Sequence, residues 1–153
     1  MPKIDIAKVE THSGSGYPAP FRAICEGRHK QRLGDAARLT QFGVNLTRID
    51  PGARSALRHW HEEEDEFIYI VEGELVLIDE AGETVLRPGD AAGFPHGDGN
   101  GHHLVNRTDR AALYLEVGTR SDREHVHYPD DDLILMRDEK GRRALHKSGE
   151  PWD

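Results

Sequence analysis

Apolar and polar residues alternate through the middle of the chain. The run Phe42-Gly43-Val44-Asn45-Leu46-Thr47-Arg48-Ile49 alternates from Val44 and stops at Asp50-Pro51-Gly52. A period of two marks a strand with one face buried. Further short runs follow at residues 57–61, 66–71, 74–78, 83–86, 91–94, 102–106 and 111–117. Asp79-Glu80-Ala81-Gly82 sits between two of them as a hairpin loop, and Arg87-Pro88-Gly89-Asp90 forms another turn. Many short strands with turn signals every few residues predict an all-β antiparallel sandwich or barrel.

Both ends break the pattern. Residues 1–39 show little periodicity, and Ser13-Gly14-Ser15-Gly16-Tyr17-Pro18-Ala19-Pro20 cannot hold a helix. This stretch reads as an arm with at most one short strand or helix, suited to packing on a neighbouring subunit. Its basic cluster Arg28-His29-Lys30-Gln31-Arg32 reads as a solvated surface loop. After Gly118 the chain turns polar. Leu133-Ile134-Leu135-Met136 is the last apolar stretch, an outer strand or a short helix, and the charged end from Glu139 to Asp153 is a candidate for mobility. The expected organisation is an N-terminal arm (1–39), a barrel (40–120) and a C-terminal extension on or near the barrel (121–153).

Composition narrows the partners. A chain of 153 residues suffices for one domain with its own core. A net charge of −8 argues against nucleic acid and anionic membrane. The longest apolar run is five residues, far short of the roughly 20 that span a bilayer. Cys25 is the single cysteine, so no intrachain disulfide forms and a spectator role is expected. The N-terminus lacks an apolar signal core, which makes the cytoplasm the expected location.

The chemistry concentrates in His59-Trp60-His61-Glu62-Glu63-Glu64-Asp65-Glu66, with Gly73 closing the segment. On a strand, residues two apart share a face, so His59 and His61 point the same way while Arg58 and Trp60 point the other. The β-branched and aromatic run Phe67-Ile68-Tyr69-Ile70-Val71 leads straight out of the segment and favours the strand. The spacing suggests a metal held by two histidines and one carboxylate on adjacent strands.

Two stretches match a family pattern. Gly52, His59, His61, Glu66 and Gly73 form the first, and Gly82, Pro88-Gly89-Asp90, Pro95, Gly97, His102 and Asn106 the second. Together they resemble the two motifs of the cupin superfamily, over roughly residues 43–117. The resemblance implies a single jelly-roll β-barrel in which His59, His61, Glu66 and His102 bind one divalent transition metal ion: zinc, iron, nickel or manganese. Glu66, rather than Asp65, has the pattern's spacing to Gly73. Four residues lie between Gly97 and His102 where the pattern has two, so Gly97-Asp98-Gly99-Asn100-Gly101 reads as a lengthened turn. Because protonated imidazole cannot ligate, affinity for the ion is expected to fall below neutral pH.

The resemblance implies an enzyme acting on a small polar or anionic molecule, a sugar or organic acid: an isomerase or epimerase, a lyase or a dioxygenase. The alternative is a non-catalytic module that binds or senses such a molecule. If Glu66 ligates the metal, another group must move protons, and the candidates are His96 and Tyr69. Tyr114 could line the interior or the wall. His125-Val126-His127 lacks a downstream carboxylate and glycine and reads as a surface coincidence, and Asp130-Asp131-Asp132 as a solvated acidic turn. A homodimer is expected, because small jelly rolls expose sheet edges that need cover.

Overall fold

The computed structural model describes residues 2–153. Thirteen strands form three sheets. The largest has six strands: β1 (Thr11–Ser13), β2 (Arg28–Arg32), β3 (Phe42–Ile49), β10 (Ala112–Thr119), β5 (Glu66–Glu72) and β8 (Ala91–Phe94), in that spatial order. A three-stranded sheet runs β7 (Gly82–Leu86), β6 (Leu75–Asp79), β9 (His103–Val105). A four-stranded sheet runs β13 (Gly141–Leu145), β12 (Ile134–Asp138), β11 (Glu124–His127), β4 (Trp60–His61). Every pairing is antiparallel. This is the expected jelly roll.

Alternation decides what each strand buries. On β5, Ile68 and Ile70 face inward, while Phe67, Tyr69 and Val71 lie exposed on the outer face. Across the large sheet the inner rows are Thr47 with Tyr114 and Asn45 with Glu116. Ile49, Ile68, Ile70, Ala112 and Tyr114 meet Leu75, Leu77, Leu86 and Leu104 from the three-stranded sheet, and Phe94 completes this core. The motif glycine Gly73 closes β5 at φ +74°, where a Cβ would come within 2.8 Å of the Ala111 carbonyl oxygen and of Ala112 Cα. Only glycine fits that approach without strain.

Both ends of the chain are built into the fold. The cluster from Arg28 to Arg32 is not a solvated loop. It is β2, a full member of the large sheet, with Lys30 opposite Thr47 and therefore on the inner face. Residues 141–145 pair with β12, Leu145 bridges Pro151, and Trp152 packs edge-on against Phe21 at 5.5 Å. The stretch after Leu133 forms a strand rather than a helix, but β12 is an inner strand, between β13 and β11, and not an outer one. Tyr17, Cys25, Leu57, Tyr128 and Leu133 form a second core, flanked by Phe21, Ile24, Val126, Leu135 and Trp152. The arm and the extension thus share a core of their own. Short segments with weak periodicity bury apolar residues singly rather than in a stripe, which is why pattern reading missed it. Among the described residues no helix is long and apolar enough to cross a membrane.

Candidate metal centre

The strand expected over residues 57–61 forms regular pairs only at Trp60 and His61, but His59 makes an isolated bridge to His102. That bridge brings the two histidine stretches face to face. The imidazole centroids of His59 lie 5.1 Å from His61 and 4.9 Å from His102. Glu66 opens β5 on the inner face, with Gly118 beside it on β10 and Phe94 on β8. Gly118 leaves no side chain next to the carboxylate, and Phe94 stacks on His102 at 3.6 Å.

The donors converge on Glu66. His61 Nε2 lies 2.9 Å and His59 Nε2 3.7 Å from Oε1, and His102 Nε2 lies 2.6 Å from Oε2. One ligand atom each from His59, His61 and Glu66 fall within 4.8 Å of one another. His102 joins them through the other carboxylate oxygen.

Second contacts settle two tautomers. Nδ1 of His59 is 2.8 Å from the Leu57 carbonyl and Nδ1 of His102 is 2.9 Å from the Asn100 carbonyl. A carbonyl only accepts, so each Nδ1 carries the proton and donates. In the neutral rings each Nε2 then presents a lone pair to the Glu66 oxygens. Acceptor faces acceptor, an arrangement that a cation between them stabilises. Both ring nitrogens of His61 are buried without an aligned hydrogen-bond partner, despite the 2.9 Å approach to Glu66. Three imidazoles and one carboxylate are a donor set suited to a first-row divalent metal. The residues fit the group that the motifs imply.

The lengthened turn has a part in this. Asn100 Oδ1 accepts from the Glu80 amide at 3.0 Å, and its Nδ2 donates to Asp79 at 3.2 Å. Those contacts pin the carbonyl that orients His102. Arg58 braces the same turn, donating to Asp130, Glu80 and the Gly101 carbonyl.

Glu124 on β11 reaches the candidate site, which the sequence did not reveal. It is 4% exposed. Its Oε1 accepts the amides of Glu62 and Glu63 at 3.0 and 3.1 Å, and its Oε2 points at His61 Nδ1 from 3.7 Å. Glu64 Oε1 stands 3.8 Å from the same nitrogen, while its Oε2 accepts from Arg137 at 2.7 Å. Burial pushes His61 down, but Glu124 and Glu66 more than reverse this and raise it to about 10. Burial pushes the Glu66 carboxyl up, yet the facing histidines hold it well below the usual range. No motif marks Glu124. Its only signal is a carboxylate in phase with Val126 on a strand.

A second polar cluster lines the inner face. Burial pushes Glu116 up, and the Lys30 ammonium at 2.6 Å brings it below its ordinary value. Asn45 donates to it at 3.0 Å and the Tyr114 hydroxyl at 3.3 Å. Tyr114 thus faces the interior.

The two proton-moving candidates lie elsewhere. Tyr69 is on the outer face of β5, because it is odd in phase with Glu66, Ile68 and Ile70. His96 sits on an exposed turn with its Nδ1 2.7 Å from Asp65 Oδ1. Neither faces Glu66. His125 and His127 approach Glu62 on the opposite face from Glu124, with His127 stacked on Trp60 at 4.3 Å.

Residues 45–118 match the cupin domain model. The chain is similar, at 49% identity and a TM-score of 0.96, to the crystal structure of a sugar phosphate isomerase of the cupin superfamily from Silicibacter pomeroyi, covering 99% of this chain and 97% of that one. The chain belongs to the cupin superfamily. This cupin also resembles a protein proposed to be a sugar phosphate isomerase from Acidithiobacillus ferrooxidans, at 30% identity and a TM-score of 0.74, over 79% of this chain and 77% of that one. A polyketide cyclase from Streptomyces resistomycificus, at 19% identity and a TM-score of 0.64, shares the fold over 78% of this cupin and 79% of its own chain. No curated protein matches this cupin significantly.

Proposed function

We propose that this cupin is a metal-dependent isomerase of a phosphorylated sugar. The observation that carries the reading is the set of lone pairs turned toward Glu66, in a chain 49% identical over nearly its full length to a cupin sugar phosphate isomerase. In this reading His59, His61, His102 and Glu66 hold one divalent transition ion, which supplies a Lewis acid for the sugar's carbonyl oxygen. Three imidazoles that give up any extra proton as the ion binds, with a single carboxylate, would leave the centre with net positive charge, matched to an anionic, oxygen-rich substrate. The Leu57 and Asn100 carbonyls keep two rings in the ligating tautomer, and Glu124 orients the third. Phe94, part of the apolar core, stacks on His102 and covers that ring from one side.

The test is turnover of an aldose and ketose phosphate panel by metal-loaded protein, followed by NMR. Interconversion of one such pair, lost on chelation and restored by metal, is the expected result. Binding of panel members with no interconversion by any metal-loaded form contradicts it.

The same proposal includes a homodimer. Phe42, Phe67, Tyr69 and Val71 are each more than 40% exposed, and Phe67, Tyr69 and Val71 form one apolar row on the outer face of β5. A second copy laid on that face would cover them. Light scattering should give twice the chain mass, and Tyr69→Lys with Phe67→Lys should shift it toward the single chain.

A further inference from the structure

We propose that Glu116 is the proton-transfer base of this site, held by Lys30 and Asn45, and that its substrate is an open-chain aldose or ketose phosphate. The inference rests on the isomerase reading above and supplies the group that reading lacks.

Position comes first. Glu116 stands opposite Ile68, and Glu66 is two residues from Ile68 on the same inner face of β5. Two residues along a strand span about 6.6 Å. A carbonyl oxygen held at the His59–His61–Glu66–His102 cluster would therefore place its neighbouring carbons between the two carboxylates. Both side chains keep about a quarter of their surface open, 27% for Glu66 and 24% for Glu116, and Lys30 keeps 23%. All three stand on the inner face and stay partly open.

The carboxylate is also held asymmetrically. Oε1 accepts from Lys30 at 2.6 Å and from Asn45 at 3.0 Å. Oε2 has only the long contact from the Tyr114 hydroxyl at 3.3 Å. One oxygen is anchored and the other is free to receive a proton. The remaining buried carboxylates are committed elsewhere: Glu124 to two backbone amides, Glu64 to Arg137 and the Ser121 amide.

The step balances without a co-reactant. Glu116 Oε2 takes the proton from C2 of the aldose. The C–H electron pair becomes the C1–C2 double bond, and the carbonyl π pair moves to O1, which gains a proton to give the enediol. The O2 hydroxyl proton then leaves, restoring the carbonyl at C2, while Glu116 returns its proton to C1. The O2 proton replaces the one taken up at O1, so aldose and ketose differ only in where hydrogens sit.

Glu116→Gln keeps shape and removes the base. Expected are one metal per chain by elemental analysis, a KM within about threefold of the parent, and kcat lower by about 10²–10⁴. Deuterium wash-in from heavy water at the sugar carbon should fall in parallel. Glu116→Asp, which keeps the carboxylate but retracts it, should recover part of the rate. If Glu116→Gln turns over at the parental rate, Glu116 is not the base, although the isomerase reading stands. If the metal-loaded parent shows neither turnover nor wash-in on any aldose or ketose phosphate, the isomerase reading fails, and the step with it.

Discussion

At His59 and His102 the deciding contact is a backbone carbonyl two residues upstream, from Leu57 and Asn100. Each accepts the Nδ1 proton and leaves the Nε2 lone pair turned toward Glu66. His61 has no such carbonyl, and Glu124 takes that place. Glu124→Ala should weaken metal binding about 10–100-fold, the usual cost of losing such an orienting partner. Competition against a chelator of known affinity measures this, and Glu124→Gln should be milder. The histidines were legible because a period of two puts them on one face and their spacing to Glu66 and Gly73 matches the cupin pattern. Glu124, Glu116 and Lys30 were not. A charged residue on a strand ordinarily faces water, and only the register across three strands places these three inward.

The terminal segments supply side chains to the candidate site. β2 brings Lys30 to the inner face, and β11 brings Glu124 against His61. The barrel strands were readable from alternation and turn residues. β1 was hidden by being three polar residues, β2 by its basic run and β13 by its charges, since none shows an apolar period. What anchors both ends is the core around Tyr17, Tyr128 and Leu133. Leu133 is fully buried there. Leu133→Ala should cost about 2–5 kcal/mol in urea unfolding, from lost transfer energy and the cavity left behind. Because Tyr128 lies 5.8 Å from His59, the same change should loosen metal retention as well. Unchanged stability in that variant would mean the two ends do not share a core.

Across the whole molecule, burial raises three phenols: Tyr17 to about 12, and Tyr114 and Tyr128 well above their ordinary value. The folded state thus binds their protons more tightly than the unfolded chain, whose tyrosines titrate near about 10. Stability is unaffected below that pH and falls as pH rises beyond it. Urea unfolding at pH 9 and pH 10.5 should show the loss, with phenolate absorbance rising as the protein opens. The fold buries Tyr114 in the first core and Tyr17 and Tyr128 in the second. The account rests on a single ion between the donors of His59, His61, Glu66 and His102. Anomalous diffraction at the absorption edges of manganese, iron, nickel and zinc tests it most directly. The predicted result is one peak per chain, about 2.0–2.2 Å from Nε2 of His59, His61 and His102 and from a Glu66 oxygen. No peak there after soaking in each of the four ions would contradict it.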